Sequence, residues 1–379
     1  MNSRNLGWLI SGSIISSTAW AESKYNLTQG VTDVSREVYD LHMLVLYICT
    51  VIGVIVFGAI FWSMFFHRKS KGHVPATFHE STKVELLWTI IPIFILVAMA
   101  YPATITLIDI ENNEDSDLTI QVTGSQWKWH YSYFDQGVEF YSNLSTPRSQ
   151  WDNLSGEGEA KGENYLLEVD NHLVIPTNRK VRFLITSDDV IHSWWVPAFA
   201  VKQDAVPGFI NEAWTKVTEP GTYRGQCAEL CGKDHGYMPI VVDVLPEQEF
   251  DGWLQTRKEA AIAAAEAEKA SLAERMTMEE AMALGESTYQ SACAACHQPN
   301  GMGLPPAFPA LKGSKIALGD VTKHIDVVVN GVSGTSMQAF GKQLTYKQLA
   351  AVVTYERNAW GNNTGDLVQT SDVKAATAE

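Results

Sequence analysis

The chain has 379 residues, of which 46% are hydrophobic and 10% aromatic, and 28 Lys and Arg against 43 Asp and Glu give a formal net charge of −15. This length allows two or three domains, and the apolar content excludes a largely disordered chain. The acidic balance argues against nucleic acid as a partner, and five cysteines are too few for a disulfide scaffold.

The N-terminus has the features of a cleaved signal peptide. Arg4 precedes an apolar run of small residues, and Ala19-Trp20-Ala21 has the A-x-A form of a signal-peptidase site. We therefore predict that residues 1–21 are removed. The alternative is a retained first membrane helix, but glycines and serines interrupt this short run.

Two apolar segments, at about 41–66 and 86–108, are each long enough to cross the roughly 30 Å of hydrocarbon in a bilayer. The loop between them is rich in basic residues, which the positive-inside rule places in the cytoplasm. Its charged residues are Arg68, Lys69, Lys71, Glu80 and Lys83. Within residues 22–110, we therefore predict a periplasmic N-terminal segment and two transmembrane helices in the bacterial inner membrane, and all that follows lies on the periplasmic face.

The remainder of the chain divides by its pattern. Residues 111–250 contain short β-branched runs of near-alternating polarity between Gly, Pro and Asn turns, which predicts an all-β sandwich or barrel. Residues 251–277 are rich in Ala, Glu and Lys and predict a helical linker. Residues 278–361 predict a small all-α domain, and the polar tail 362–379 is predicted to be disordered.

One loop in the β region carries a cluster of soft metal ligands. The sequence GQCAELCGKDHGYM places Cys227, Cys231, His235 and Met238 in the order C-x3-C-x3-H-x2-M. Thiolate, imidazole and thioether together favour copper, and two thiolates can bridge two copper ions. A second imidazole must come from another strand, and His192 is the best candidate. The alternatives are a disulfide, which would leave His235 and Met238 without a role, and a thioredoxin-like copper chaperone, whose cysteine pair normally lies in a β-α context.

The C-terminal domain carries the attachment signature of a c-type haem. Cys293, Cys296 and His297 form C-x-x-C-H, in which two thiols bind the haem and the imidazole becomes the proximal iron ligand. The distal ligand must reach the opposite face of the ring. Met337 has enough intervening chain, and a thioether raises the potential as an electron carrier requires. His324 is the alternative, although a histidine on a helix is more often at the surface.

These motifs identify a family. The two-span hairpin, DDVIHSWWVPAFAVKQDAVPG and GQCAELCGKDHGYMPI resemble subunit II of haem-copper cytochrome c oxidases with its dinuclear CuA centre, over residues of about 30–250. The segment NGMGLPPAFPAL is similar to a loop of class I cytochromes c. The resemblance implies a cupredoxin-like fold for the β region. It assigns two copper ions to Cys227, Cys231, His192, His235, Met238 and the backbone carbonyl of Glu229, and a magnesium ion shared with subunit I to the Glu229 side chain.

The resemblance also points to an aromatic residue in GSQWKWHYSYF. In the family, the first tryptophan of this segment is the residue at which electrons enter. The matching residue in this sequence is Trp127. The alternative is that Trp127 alternates with Trp129 on a strand and packs in the core; for Trp129 we favour that interpretation. Lys128 stands between them where the resemblance leads us to expect an aromatic residue, so the resemblance does not imply an identical docking surface for a donor.

Glu85 stands at the start of the second apolar segment. The resemblance implies that it opens a proton path that serves subunit I. The sequence Thr82-x-x-Glu85 is also a capping box, in which the carboxylate would accept a hydrogen bond from a helix N-terminal amide. The two roles are compatible.

The sequence therefore predicts subunit II of a proton-pumping cytochrome c oxidase with a fused cytochrome c domain. Electrons would pass from a soluble or membrane-bound cytochrome c to the attached haem, then to copper, then to haem a in subunit I, where oxygen is reduced to water. Subunits I and III are the expected partners, and no catalytic residue for oxygen chemistry lies in this chain. A quinol oxidase subunit II would lack the copper ligands, and a stand-alone copper-delivery or shuttle protein would not copurify with a haem-containing partner.

Overall fold

The structure is a computed structural model that describes residues 26–74, 77, 79–151, 159–332 and 335–377. In chain order, these residues form a hairpin of two long helices, a β-sandwich and a helical domain. This confirms the predicted fold class of a transmembrane hairpin, a cupredoxin-like domain and a cytochrome c domain. The predicted signal peptide lies outside the described residues.

The hairpin consists of helices α1 (Asp33–Phe66) and α2 (Thr82–Glu111). Both are long and apolar enough to cross a membrane, and no residue of their most apolar windows is buried in the structure. The two helices extend beyond the predicted spans of about 41–66 and 86–108, because polar residues outside the hydrocarbon continue the same helices. The side chain of Thr32 caps the first turn of α1.

Both outer ends of the hairpin are attached to the β-sandwich. The backbone N–H of Val31 donates to the carbonyl of Ala198 at 3.0 Å. The indole N–H of Trp214 donates to the carbonyls of Asp109 and Ile110, at 3.1 and 3.0 Å. The start of α1 and the end of α2 therefore lie on the same side as the β-sandwich.

Within the described residues, ten strands form two five-stranded sheets. The strands are β1 (Leu118–Ser125), β2 (Lys128–Tyr133), β3 (Val138–Ser142), β4 (Leu173–Pro176), β5 (Val181–Ser187), β6 (His192–Val196), β7 (Val201–Ala205), β8 (Asn211–Thr215), β9 (Gly221–Cys227) and β10 (Pro239–Leu245), with a four-residue helix α3 (Arg148–Trp151) between β3 and β4. The sheets have the orders β3-β2-β1-β5-β8 and β4-β10-β9-β6-β7. Alternate residues of β5 are buried, as a strand with one face on the core requires. The core between the sheets includes Ile120, Phe183 and Trp194.

Helix α4 (Glu247–Ser271) joins the sandwich to the last domain, where a helical linker is predicted. Its first turns belong to the sandwich, because Phe250 is buried in that core and Trp253 packs against it. Near its other end, the carboxylate of Glu268 accepts a hydrogen bond from the backbone N–H of Tyr346 at 2.5 Å. One helix therefore contacts both domains.

The C-terminal domain is built from short helices around one core. They are α5 (Met278–Ala292), α6 (Ala294–His297), α7 (Val321–Asn330), α8 (Tyr346–Asn358) and α9 (Thr370–Thr377). Helix α5 crosses α8 closely at Gly285, where a Cβ atom would overlap the carbonyl oxygen of Ala351. A larger residue at this position would push the two helices apart.

The predicted disorder of the tail 362–379 is wrong for the described residues 362–377. Val368 and Val373 are buried in the core of the domain, and α9 packs against α7 and α8. Leu367 and Ala376 pack against the same core, and these few apolar residues fold a tail that has the polar composition of a disordered segment.

The domain is also larger than the predicted range 278–361. The buried guanidinium of Arg357 pairs with the carboxylate of Asp366 at 2.5 Å. At the other end, the backbone N–H of Met276 donates to the side-chain oxygen of Gln369 at 2.9 Å. Residues before α5 and after α8 therefore complete the same unit.

We expect Val373→Ala to destabilise the C-terminal domain by about 2 kcal/mol, because it removes two methyl groups from a fully buried position and leaves a cavity. Thermal unfolding followed by the absorbance of the attached haem measures this change. Lys374→Ala, an exposed neighbour on the same helix, is the matched control. Equal melting temperatures for the two variants would contradict the packed position of α9.

Candidate functional site

The loop between β9 and β10 gathers the predicted soft ligands. The sulfurs of Cys227 and Cys231 lie 3.8 Å apart, and both thiols are free. The Cys231 sulfur lies 3.5 Å from Nδ1 of His235 and 3.5 Å from the sulfur of Met238. The carbonyl oxygen of Glu229 lies 3.3 Å from the Cys227 sulfur. Five donors from one loop therefore converge on one point.

The predicted second histidine reaches the same point from β6, the neighbour of β9. His192 is fully buried, and its Nδ1 lies 3.2 Å from the sulfur of Met238 and 3.9 Å from that of Cys227. The ligand atoms of His192, Cys227 and Cys231 all lie within 4.8 Å of one another. Gly124 on β1 provides the room, since a Cβ atom there would lie 3.0 Å from the imidazole ring.

Asp189 orients His192, a role that the sequence analysis missed. Its Oδ1 lies 2.9 Å from Nε2 of His192, which leaves Nδ1 directed at the sulfurs. The same carboxylate accepts hydrogen bonds from the backbone N–H groups of Gln126 and Val190.

Burial alone would raise the pKa of Asp189, but these hydrogen bonds hold it below its ordinary value. Burial lowers the pKa of His192, and its bonds to Asp189 and Cys227 raise it above the usual value. A carboxylate three residues before the histidine was the available signal.

The two thiols differ in acidity because they share a proton. The hydrogen bond between the Cys227 and Cys231 sulfurs holds the pKa of Cys227 well below its ordinary value despite burial. The pKa of Cys231 is raised by the same contact and by burial. A buried thiolate is unfavourable without a cation nearby. Two sulfurs, two imidazoles, a thioether and a carbonyl form a donor set that fits copper.

The C-terminal domain has a second site that fits a haem. A cavity of about 990 Å³ is lined by Cys293, Cys296, His297 and Met337. The Nδ1 of His297 is hydrogen-bonded to the carbonyl of Pro309 at 2.9 Å, which fixes the ring and leaves Nε2 available to a metal. The proline belongs to the Gly/Pro-rich loop identified in the sequence.

His324 is not at the surface, so that expectation is wrong. It is 2% exposed, and its Nε2 lies 2.9 Å from the buried carboxylate of Glu356. Its Nδ1 has no hydrogen-bond partner among the described residues. Both side chains line the same cavity as Met337. Because α7 is buried on this side, the histidine faces the interior of the domain.

The two tryptophans of GSQWKWHYSYF have different environments. Trp129 is buried on β2 and donates to the carbonyl of Met238 at 3.3 Å, so its predicted core position is confirmed. Trp127 precedes β2, in the turn between β1 and β2, and is half-buried. Its indole N–H donates to the carbonyl of Cys231 at 3.2 Å, and it also lines the cavity that contains Cys293. Trp127 therefore lies between the two sites.

Glu85 lies in the first turn of α2, distant in sequence from both sites. Its Oε1 accepts a hydrogen bond from the backbone N–H of Ser81 at 3.3 Å. Ser81 is the N-cap and its side chain makes no capping hydrogen bond, so the capping box predicted from Thr82 is wrong. The carboxylate still satisfies an amide at the helix N-terminus.

These features define a membrane-anchored protein that joins a cupredoxin-like copper domain to a c-type cytochrome domain. Three family profiles match the chain. "Cytochrome C oxidase subunit II, transmembrane domain" matches residues 20–105, "Cytochrome C oxidase subunit II, periplasmic domain" matches residues 118–245, and "Cytochrome C oxidase, cbb3-type, subunit III" matches residues 280–355.

Relatives of known name agree with these matches. The probable cytochrome c oxidase subunit 2 of Rickettsia bellii is 42% identical over 60% of this chain and 82% of its own length. Cytochrome c oxidase subunit 2 of Cereibacter sphaeroides is 37% identical over 59% of this chain and 76% of its own. The crystal structure of the periplasmic domain of subunit II (CoxB) of Bradyrhizobium japonicum is 44% identical, covers 38% of this chain and 96% of its own, and has a TM-score of 0.34. The chain belongs to the cytochrome c oxidase subunit II family, with a cytochrome c domain at its C-terminal end.

We expect Asp189→Asn to weaken copper binding by about 10- to 100-fold, because the variant loses the charge that orients His192. Titration of the metal-loaded protein with a competing chelator measures this change. Asp188→Asn is the matched control, since Asp188 is adjacent but makes no hydrogen bond to the imidazole in the structure. Equal copper affinities in the two variants would contradict the role of Asp189.

Proposed function

We propose that this chain receives electrons from a soluble or membrane-bound cytochrome c at its own c-type haem and passes them through a dinuclear CuA centre to haem a of subunit I. Oxygen reduction to water and proton pumping occur in subunit I. The observation that carries this proposal is the position of Trp127, which lines the cytochrome cavity and donates to the carbonyl of Cys231. When bound, the haem and the copper pair supply reversible one-electron transfer.

We assign the copper pair to the six donors gathered at the end of β9. Cys227 and Cys231 would bridge the two ions, with His192 and His235 as the imidazole ligands. Met238 and the carbonyl of Glu229 would complete the set. The burial of His192, Cys227, Cys231 and Met238 and the contact of His192 with Asp189 support this assignment, since a rigid site changes little in geometry between redox states.

We assign covalent haem attachment to Cys293 and Cys296, with His297 as the proximal and Met337 as the distal ligand. The hydrogen bond from His297 to Pro309 holds the imidazole in one orientation. Met337 belongs to the same cavity, on the segment that follows α7. A thioether opposite an imidazole gives the higher potential that suits an electron carrier.

The remaining assignments concern the rest of the oxidase. The side chain of Glu229 is exposed, so it is available to a magnesium ion at the boundary with subunit I. Glu85 would open a proton path at the cytoplasmic end of α2. Subunits I and III would cover the exposed apolar faces of the hairpin in the inner membrane. The attachment of both hairpin ends to the sandwich supports a periplasmic position for the copper and cytochrome domains.

We expect the intact chain to bind two copper ions in a mixed-valence pair, because two thiolates can bridge two metals. Metal analysis and electron paramagnetic resonance measure the stoichiometry and the signal. Cys227→Ser should abolish the signal, whereas Cys49→Ser, a change in the exposed thiol of α1, should leave it intact. One metal ion per chain, or zinc in place of copper, would contradict the proposal.

We expect Met337→Ala to convert the attached haem from low spin to high spin, because the iron loses its distal ligand. Optical spectra of the reduced and oxidised protein measure the change. Met302→Ala is the matched control, since Met302 is half exposed and only a few residues after His297. A low-spin spectrum that persists in Met337→Ala would contradict the assignment and would favour His324.

A further inference from the structure

Lys128 lies where the cytochrome domain meets the copper domain. Its ammonium group donates to the side-chain oxygen of Gln343 in the cytochrome domain. The same group lies 5.2 Å from the ring centre of Tyr141 and 5.6 Å from that of Phe340. Aromatic faces on both sides attract a cation that has lost part of its water. Burial lowers the pKa of Lys128 to about 8. A lysine that only served solubility would extend into solvent.

Two glutamines complete the contact. The amide of Gln338 donates to the backbone carbonyl of Gln126 in the copper domain. The amide of Gln343 donates to the side-chain oxygen of Gln338 at 3.4 Å and to the carbonyl of Ala339 at 2.7 Å. Both carboxamides are therefore held in one orientation, with the oxygen of Gln343 facing Lys128. We call Gln126, Lys128, Gln338 and Gln343 the polar clasp.

The polar clasp encloses Trp127. Gln126 and Lys128 are its neighbours in sequence, and the side chain of Gln126 donates to the carbonyl of Cys231 at 2.8 Å, as the indole of Trp127 also does. Cys293 and other residues of the cytochrome domain line the same cavity as Trp127. The cytochrome domain thus occupies the space above Trp127 that a separate cytochrome would need.

We infer that the polar clasp docks the cytochrome domain on the copper domain and reserves Trp127 for it, so that an external cytochrome c is received on the cytochrome domain alone. This inference rests on the proposed function for the identity of the two redox centres. Lys128, Gln338 and Gln343 are positioning residues, since they hold Trp127 against its donor and carry no electron themselves.

Helix α4, which tethers the two domains, explains why a few contacts are enough to dock the cytochrome domain. Helix α4 is packed in the copper domain at its start and hydrogen-bonded to the cytochrome domain near its end, so it keeps the two domains close and weak contacts between them hold most molecules in the docked state. Loss of one charge-assisted hydrogen bond lowers the docking equilibrium by about tenfold. A single substitution can therefore release most of the docked population.

The test uses the intact oxidase with Lys128→Met, which keeps the length of the stem and removes the charge. Lys202→Ala, an exposed lysine on β7, is the matched control. Hydroxyl-radical labelling read by mass spectrometry should show Trp127 protected in the wild type and in the control, and labelled in Lys128→Met. A light-activated ruthenium reductant injects an electron into the haem, and the transfer to copper should slow by about tenfold in Lys128→Met. Lys128→Arg should restore both readouts.

Cross-linking to a soluble mitochondrial-type cytochrome c tests the reserved surface. Cross-links should map to residues 278–377 in the wild type and extend to the surface around Trp127 in Lys128→Met. Cross-links at Trp127 in the wild type, or unchanged labelling and transfer rates in Lys128→Met, would overturn the inference. Gln338→Ala is a second variant, for use if Lys128→Met fails to bind copper and haem normally. Protection of Trp127 without any transfer from haem to copper in the wild type would instead reject the proposed function and leave the docking in place.

Discussion

Two buried sulfurs 3.8 Å apart constrain much of the copper domain. Charge on either thiol is costly in an apolar interior unless a cation or hydrogen-bond donors compensate for it. The surrounding strands supply what this loop needs. Gly124 leaves space for His192, and Asp189 fixes its ring. Gln126 and Trp127 donate to the carbonyl of Cys231 and so hold the loop in place. The sandwich therefore serves as a rigid support for one loop.

The same few residues connect that loop to the second domain. The turn between β1 and β2 presents Trp127 and Lys128 to the cytochrome domain, while Gln126 faces the copper loop. A change in the contact between the domains therefore acts on residues that are hydrogen-bonded directly to the copper-binding loop. The surface around Trp127 therefore differs between a chain that carries its own cytochrome and a chain that depends on a diffusing cytochrome. The lysine at position 128, in place of an aromatic residue, fits that difference.

The sequence revealed the ligands because soft donors at such short, regular spacing rarely occur together for packing alone. Cys227, Cys231, His235 and Met238 lie in one loop, and the structure adds His192 at the predicted place. What the sequence could not reveal depends on tertiary contacts. The polar tail folds because buried valines find a core formed by helices distant in sequence.

Two further side chains show the same dependence on contacts between distant segments. His324 is buried with the apolar face of α7, Glu356 on another helix is its hydrogen-bond partner, and nothing in the local pattern of α7 indicates that partner. The role of Lys128 follows only from the position of Gln343, more than two hundred residues later. Local spacing therefore predicts ligands that share one loop, whereas the partners of isolated polar side chains can be identified only from the folded structure.

Helix α4 has a consequence for how this architecture can vary. Its first turns are packed in the sandwich, and its last turns are hydrogen-bonded to the cytochrome domain. The helix therefore sets the distance and the orientation of the cytochrome domain in the docked state. Each residue added to an α-helix advances its end by about 1.5 Å and rotates it by about 100°. An insertion of one residue would therefore turn the cytochrome away from Trp127, and an insertion of two full turns would restore the angle but leave a gap of roughly 10 Å. The number of residues in this helix therefore sets both the distance and the angle between the two domains, which the length of a flexible linker would not do.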